Sequence, residues 1–343
     1  MRILIIGGTR FIGPRVVRRL VEMGHAVTVF HRGETRAELP DGVNEIHGDR
    51  RELASFAADL KATAPDVVLD MIAFTEDDAR ALVGVVKGVA RRVVVLSSAD
   101  VYGAYGRLLR LESGPPAAPP LAEDAPLRAN LYPYRAQAAG PDDFKYHYEK
   151  VLVERVVMGD ARLPGTVLRL PAVYGPGDQQ HRLFGYVKRM DDRRPFIMLG
   201  EAQARWRWTR GYVENVAAAV ALALTNESAA GRIYNVGEAE ALAEADWVSS
   251  VGRAAGWDGR VVTVPESSLP EHMASPVDYE HHLATDTRRI RAELGYDERV
   301  PRDEALRRTI EWERTNPPAE TSSFETEYAA EDAALAALQS SRD

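Results

Sequence analysis

Tyr146 and Lys150, in the stretch KYHYEKVLVERVV, stand four residues apart. On a helix that spacing sets a phenol and an ammonium on one face. The ammonium field lowers the phenol pKa toward the range where proton transfer works near neutral pH, so the pair is a candidate acid/base couple. Tyr148, two residues before Lys150, points to another side of a regular helix. A second stretch with chemical content is ILIIGGTRFIG, where an apolar strand runs into Gly7 and Gly8 and a helix opens near Gly13 and Pro14. Strand, glycine turn and helix in that order bring a pyrophosphate against unpaired helix N–H groups. Gly7 permits the tight turn, and Gly13 lets the helix pack close to the strand.

The elements that must position these residues are visible as patterns. Short apolar, β-branched runs recur at Ile3–Ile6, Val27–Phe30, Val67–Met71, Val93–Leu96 and Val167–Leu170, as buried parallel strands do. Between them lie helical patterns. The clearest sets Val16, Val17, Leu20 and Val21 against Arg15, Arg18, Arg19 and Glu22, with Gly24 as the stop. The alternation predicts an α/β fold, a Rossmann-type doubly wound parallel sheet with a smaller C-terminal substrate lobe. Residues 1–170, with 207–236 returning to them, are expected to form the dinucleotide-binding domain, and 171–206 with 237–316 the lobe. From Gly103 to Asp143 prolines, glycines and small residues crowd out any periodic pattern. That segment reads as a surface excursion and candidate lid, with Tyr132, Tyr134 and Arg135 as its candidate contacts. The tail, 317–343, reads as one short acidic helix, otherwise poorly anchored.

The chain has 343 residues, no cysteine and a formal net charge of -8. Without cysteine there is no disulfide framework and no thiolate nucleophile or metal ligand, which fits a reducing compartment, so a cytoplasmic protein is expected. The N-terminus enters a strand at Arg2–Ile6 without the longer apolar region of a signal peptide, and no stretch approaches the ~20 apolar residues of a membrane span. The acidic balance opposes nucleic-acid or anionic-lipid partners. His281 and His282 are adjacent, without further spaced ligands, and no metal site is expected.

The motifs together resemble the extended short-chain dehydrogenase/reductase family, of NAD(P)-dependent epimerase/dehydratase type, over about Met1 to Trp312. Its TGxxGxxG fingerprint aligns with Ile6 to Gly13, with Ile6 for the threonine and Arg10 for the middle glycine. VVVLSSADVYG, the Tyr146/Lys150 pair and TVLRLPAVYGPGD follow in the family's order, then GYVENVAAAVALAL, GRIYNVGEAEAL and LGYDERVPRDEALRRTIEW. The GGTRFIG loop is also similar to that of chloroplast stem-loop RNA-binding relatives.

The resemblance implies a cofactor site at Gly7, Gly8, Thr9, Arg10, Phe11, Ile12 and Gly13. Asp49, with Arg50 beside it, falls where the family contacts the adenine amino group; alternatively Asp49 caps a helix beginning near Glu52. Ile72 and Ala73 would lie against the adenosine ribose and pyrophosphate, and Lys150 on the nicotinamide ribose. NAD-preferring members place a carboxylate at the end of the second strand, but here Phe30, His31 and Arg32 stand there, with no acid until Glu34. Arg10, Arg32 and Arg36 suit a 2′-phosphate, so NADP is expected, with NAD the alternative if these arginines are merely exposed.

For the reaction, Ser98 matches the family residue that holds the substrate oxygen beside the tyrosine. Asp100 falls where dehydratases and decarboxylases of the family carry a glutamate, as a second acid/base group, or else is a solvated loop residue. The substrate site implied is Ser98, Tyr146, Tyr174, Arg207 and Arg210, the two arginines flanking Trp208 at the family's diphosphate-binding position. RWRWTR could equally stack a ring or fill the interlobe core. The expected function is NAD(P)-dependent hydride chemistry on a hydroxyl or carbonyl of a sugar-like, nucleotide-linked small molecule, with epimerase, dehydratase and reductase unseparated. The alternatives are an NADPH-dependent reductase of a non-nucleotide small molecule and an RNA-binding use of the scaffold. A homodimer is compatible with each.

Overall fold

A computed structural model describes residues 1–35 and 37–340. Its centre is a seven-stranded parallel sheet: β1 (Arg2–Ile6), β2 (Ala26–His31), β3 (Asn44–His47), β4 (Val67–Asp70), β5 (Arg92–Ser98), β6 (Gly165–Leu170) and a seventh strand, Arg232–Asn235. The spatial order is seventh–β6–β5–β4–β1–β2–β3. The sequence reverses direction at β1, and the crevice at such a switch point is where doubly wound sheets bind ligands.

Alternate residues of each strand enter opposite cores. Ile3 and Ile5 pack with α1 (Ile12–Glu22) and the helix Val213–Thr225, through Val16, Val17, Leu20, Val216 and Val220. Leu4 and Ile6 pack on the other face with Leu82 and Val86 of Glu76–Val86 and with Val153 and Val157 of Lys150–Met158. Each fully buried Leu, Ile or Val contributes about 1.5–3 kcal/mol, so burial on both faces fixes strand register and thereby the strand ends that carry the site.

The lobe is built on a two-stranded parallel ribbon, Phe196–Gly200 with Arg260–Val264, and the helices Phe184–Asp191, Glu244–Ala255 and Arg302–Thr315. Two expectations are corrected here. The Gly103–Asp143 segment is more than a surface excursion: it supplies the helix Gly103–Leu108, buried Leu121 and fully buried Arg128. The tail is anchored, because the helix Phe324–Ser340 packs Ala334, Leu335 and Leu338 against Phe196, Met198 and Val264. Among the described residues, no helix is long and apolar enough to cross a membrane.

Candidate active site

The glycine turn closes β1. Gly7 and Gly8 both have φ of +92°, the left-handed region open to glycine. A Cβ on Gly13 would lie 2.3 Å from the Gly8 carbonyl carbon, so only glycine lets the first turn of α1 rest on the loop. Phe11 precedes α1, and no described side chain caps that terminus. Ile72, at the end of β4, lies against Gly7, 3.2 Å from where its Cβ would be. This cradle fits a dinucleotide pyrophosphate.

Two arginines stand beside the end of β2. Arg10 donates from Nε to Thr35 Oγ1 at 3.0 Å, and Arg32 pairs with Glu34 at 2.9 Å, all of it exposed or half-exposed. Arg36 lies outside the described residues. Asp49 caps a 3₁₀ turn, accepting from the Arg51 amide at 2.8 Å. Hydrogen bonds from the Arg51 guanidinium, then from its amide, hold the Asp49 carboxyl down to about 2. Arg50 turns inward instead of toward a ligand: Nη2 donates to Asp70 Oδ2 at 2.6 Å and to the Asp78 carbonyl at 2.7 Å.

The helix expected to carry Tyr146 and Lys150 together is not formed. A short helix, Phe144–His147, ends before Tyr148. Glu149 is extended, with φ −159° and ψ 93°, and a second helix starts at Lys150. The cause is Glu149 itself. Its carboxylate accepts from Arg128 Nη2 at 2.9 Å and from the Val151 and Tyr132 amides, with both charged side chains fully buried. With Glu149 drawn inward, Tyr148 rather than Tyr146 enters the site. Tyr146 is half-buried beneath the Arg135 guanidinium, 4.8 Å above its ring.

Tyr148 is buried at the end of β5, where its hydroxyl donates to Asp100 Oδ2 at 2.8 Å and the Ser98 side chain acts on its pKa in the opposite, lowering sense. Ser98 Oγ accepts from the Asp100 amide at 3.2 Å. Tyr134 donates to the same Asp100 oxygen at 3.0 Å, and its hydroxyl lies 2.8 Å from that of Tyr105. Lys150 Nζ donates to the carbonyls of Ala73, at 2.6 Å, and Leu96, at 2.9 Å. Burial pulls the Lys150 ammonium down to about 8, against the raising influence of Asp70 and Asp100. Burial pushes the Asp100 carboxyl up, and burial followed by the Asp100 charge pushes Tyr148 well above the ordinary phenol value. The loop-aspartate alternative for Asp100 is thus excluded by its burial, at 5% exposure.

A cavity of about 350 Å³ is lined by Tyr174, Trp206, Trp208, Arg210, Glu244 and Tyr279, among others. Trp206 and Trp208 share an apolar cluster with Ala99, Val101 and Val151, neighbours of Asp100 and Lys150 in the chain. Arg210 pairs with Glu244 and lies 4.3 Å over the Trp247 ring. Arg207 donates to the Ala241 carbonyl at 2.9 Å, and the Tyr174 hydroxyl donates to Glu238 at 2.8 Å. Of the five expected substrate residues, Tyr174, Arg207 and Arg210 therefore already have partners within the protein. Elsewhere, His31, Glu45 and His47 cluster, but His31 Nδ1 accepts the Gly33 amide at 3.2 Å, which leaves Nε2 as the protonated donor to Glu45. His282 Nδ1 accepts the Arg207 amide at 3.1 Å.

Sequence reasoning missed Tyr105, Arg128 and Glu149. The only local signal was negative, a glutamate wedged between two residues of a reactive stretch.

A strand–glycine turn–helix at the switch point of a seven-stranded parallel sheet is a Rossmann-type dinucleotide scaffold. The chain belongs to the NAD dependent epimerase/dehydratase family, whose profile matches residues 3–237, and is an enzyme of that type. It is similar to the 2'-dehydrokanamycin reductase of Streptomyces kanamyceticus, 28% identical over 280 residues, covering 80% of this chain and 72% of that protein. It is similar also to the UDP-N-acetyl-alpha-D-glucosaminuronate decarboxylase of Bacillus cytotoxicus, 22% identical over 341 residues, with 91% and 98% covered. Among solved structures, the UDP-glucose 4-epimerase of Thermus thermophilus in complex with NAD superposes with a TM-score of 0.64 at 23% identity, covering 92% of this chain and 100% of that one.

Proposed function

We propose that this chain is an NADPH-dependent oxidoreductase that acts on a carbonyl of a sugar-like small molecule, with Ser98, Tyr148 and Lys150 as its working set. The observation that carries the reading is the convergence of the Ser98 hydroxyl, the Tyr148 hydroxyl and the Asp100 carboxyl at the C-terminal end of β5, beside buried Lys150. A bound nicotinamide supplies the hydride. Ser98 and Tyr148 together hold the substrate oxygen, and Tyr148 protonates it as charge develops there. A phenol held high by burial and by an adjacent carboxylate is protonated at rest, as the donor in a carbonyl reduction has to be. Lys150 uses two of its three donors on the Ala73 and Leu96 carbonyls, which leaves one for the nicotinamide ribose.

Arg10 and Arg32 beside a β2 end without a free carboxylate support NADP over NAD. The aromatic wall of Trp206, Trp208 and Tyr279, and the pairing of Arg210 with Glu244, support a sugar ring without a nucleotide. A nucleotide-linked sugar is the second reading. It is favoured by Arg182, which lines the same cavity and is one-quarter exposed beside Asp178.

The test is NADPH oxidation by the purified protein with two probes, 2'-dehydrokanamycin and UDP-4-keto-6-deoxyglucose. Tyr148→Phe is expected to lower turnover by about 10²-fold or more with dinucleotide binding intact, while Tyr146→Phe keeps most of it. The reverse ranking would return the acid/base role to Tyr146. A wild type inert on both probes would overturn the proposal.

A further inference from the structure

Reduction of a carbonyl consumes one proton from solvent per turnover, and Tyr148 is buried. Lys150 is tied by Nζ to two backbone carbonyls and sits 5.9 Å from the centre of the Tyr148 ring. A different path runs from the phenol through Asp100. Tyr148 and Tyr134 both donate to Asp100 Oδ2, at 2.8 and 3.0 Å. Since the Tyr134 proton is engaged there, the 2.8 Å contact between Tyr134 and Tyr105 has Tyr105 as its donor. The rings are fixed edge to face, Tyr134 against Tyr148 with centroids 5.1 Å apart and against Tyr105 at 6.2 Å. Asp100 and Tyr148 are buried, while Tyr134 and Tyr105 are partly exposed.

We infer that Tyr134 and Tyr105, residues of the Gly103–Asp143 segment, form with Asp100 a proton relay that recharges Tyr148 from solvent. The inference rests on the proposed reductase reading. The Tyr148 O–H bond breaks as its proton passes to the substrate oxygen that has gained the hydride. Asp100 Oδ2, which accepts from both hydroxyls, takes the proton of Tyr134 and hands it to the Tyr148 phenolate, so Asp100 is a carboxylate before and after. Tyr134 recovers a proton from Tyr105, and Tyr105 is reprotonated by water. One proton enters and one leaves, and the electrons come from NADPH alone. Arg128 holds the relay in place as a positioning residue, because its Nε donates to the Asp100 carbonyl while its other nitrogens reach Glu149 and the Asn130 carbonyl.

The relay is tested on the full chain with NADPH, using whichever of 2'-dehydrokanamycin and UDP-4-keto-6-deoxyglucose the wild type reduces. The variants are Tyr134→Phe, Tyr105→Phe and Tyr148→Phe, each of which keeps its ring for packing. For Tyr134→Phe the expected result is a fall in kcat of about 10-fold or more with KM changed less than about twofold. Its solvent deuterium isotope effect should exceed that of the wild type, and added imidazole should restore part of the rate. Tyr105→Phe should show the same signature, more weakly. If Tyr148→Phe is inactive while Tyr134→Phe keeps the wild-type kcat and isotope effect, the relay is overturned and the reductase reading stands. A fall in kcat with no change in isotope effect and no imidazole rescue means a structural role and also overturns the relay. Full turnover by Tyr148→Phe, or a wild type inert on both probes, sinks the reductase reading and the relay with it.

Discussion

Arg10 stands where the family's fingerprint has its middle glycine, and its side chain leaves the turn for the loop after β2. There it meets Thr35, just beyond the Arg32–Glu34 pair. Both guanidiniums are solvent-facing, so their ion pair and hydrogen bond with the protein are weak and exchangeable. A phosphate that takes paired, charge-assisted bonds from them is held more strongly. Arg10→Gly combined with Arg32→Asp should therefore cost on the order of 2–4 kcal/mol in NADPH affinity, with much less effect on NADH. Calorimetric titration of both dinucleotides reads this directly. Unchanged relative affinities would mean that the two arginines are surface residues without a ligand. Their charge and their position beside β2 can be read from the sequence without any distant contact.

At the level of elements, the strands were readable because two-sided burial demands continuous apolar runs, and Ile3–Ile6 and Val93–Leu96 fall inside β1 and β5 as expected. The helix presumed to unite Tyr146 and Lys150 was not readable. Its interruption at Glu149 depends on Arg128, 21 residues earlier, in a segment whose prolines and glycines give no periodic signal. Glutamate is a good helix former in isolation, and only a long-range buried ion pair overrides that preference. Removing one partner strands the other charge in the interior, which costs about 3–5 kcal/mol. Arg128→Met should lower stability by that order in urea denaturation. The double variant Arg128→Met with Glu149→Leu should recover a substantial part of it, since no unpaired charge then remains. In that double variant the helical register through Tyr146 and Lys150 becomes available, and near-ultraviolet circular dichroism should report a changed tyrosine environment. Equal instability of the single and double variants would show that the pair does not act as a unit.

At the scale of the whole molecule, the C-terminal helix packs on the lobe. Arg189, on Phe184–Asp191, pairs with Glu331 at 2.6 Å and Glu327 at 2.8 Å, and Tyr328 donates to Asp192 at 2.7 Å. Phe324 meets Phe184 at 6.0 Å between centroids, while Ala334 and Leu335 cover Phe196, Met198 and Val264. Every one of these partners belongs to the lobe, and none belongs to the Gly7–Gly13 turn or to β5. The sequence made this tail look loosely held because its small and acidic residues lack a strong apolar stripe. Its anchoring comes from charges whose partners lie more than 130 residues away. Truncation after Pro317 should therefore expose an apolar patch and leave the half-buried Arg189 unpaired, lowering lobe stability by about 2–4 kcal/mol. NADPH affinity, read by fluorescence titration below the melting range, should stay within about twofold of the full chain. Loss of dinucleotide binding together with the tail would mean that the two units unfold as one and that the lobe helps to hold the cradle. An unchanged denaturation midpoint would mean that these ion pairs contribute nothing beyond their exchange with water.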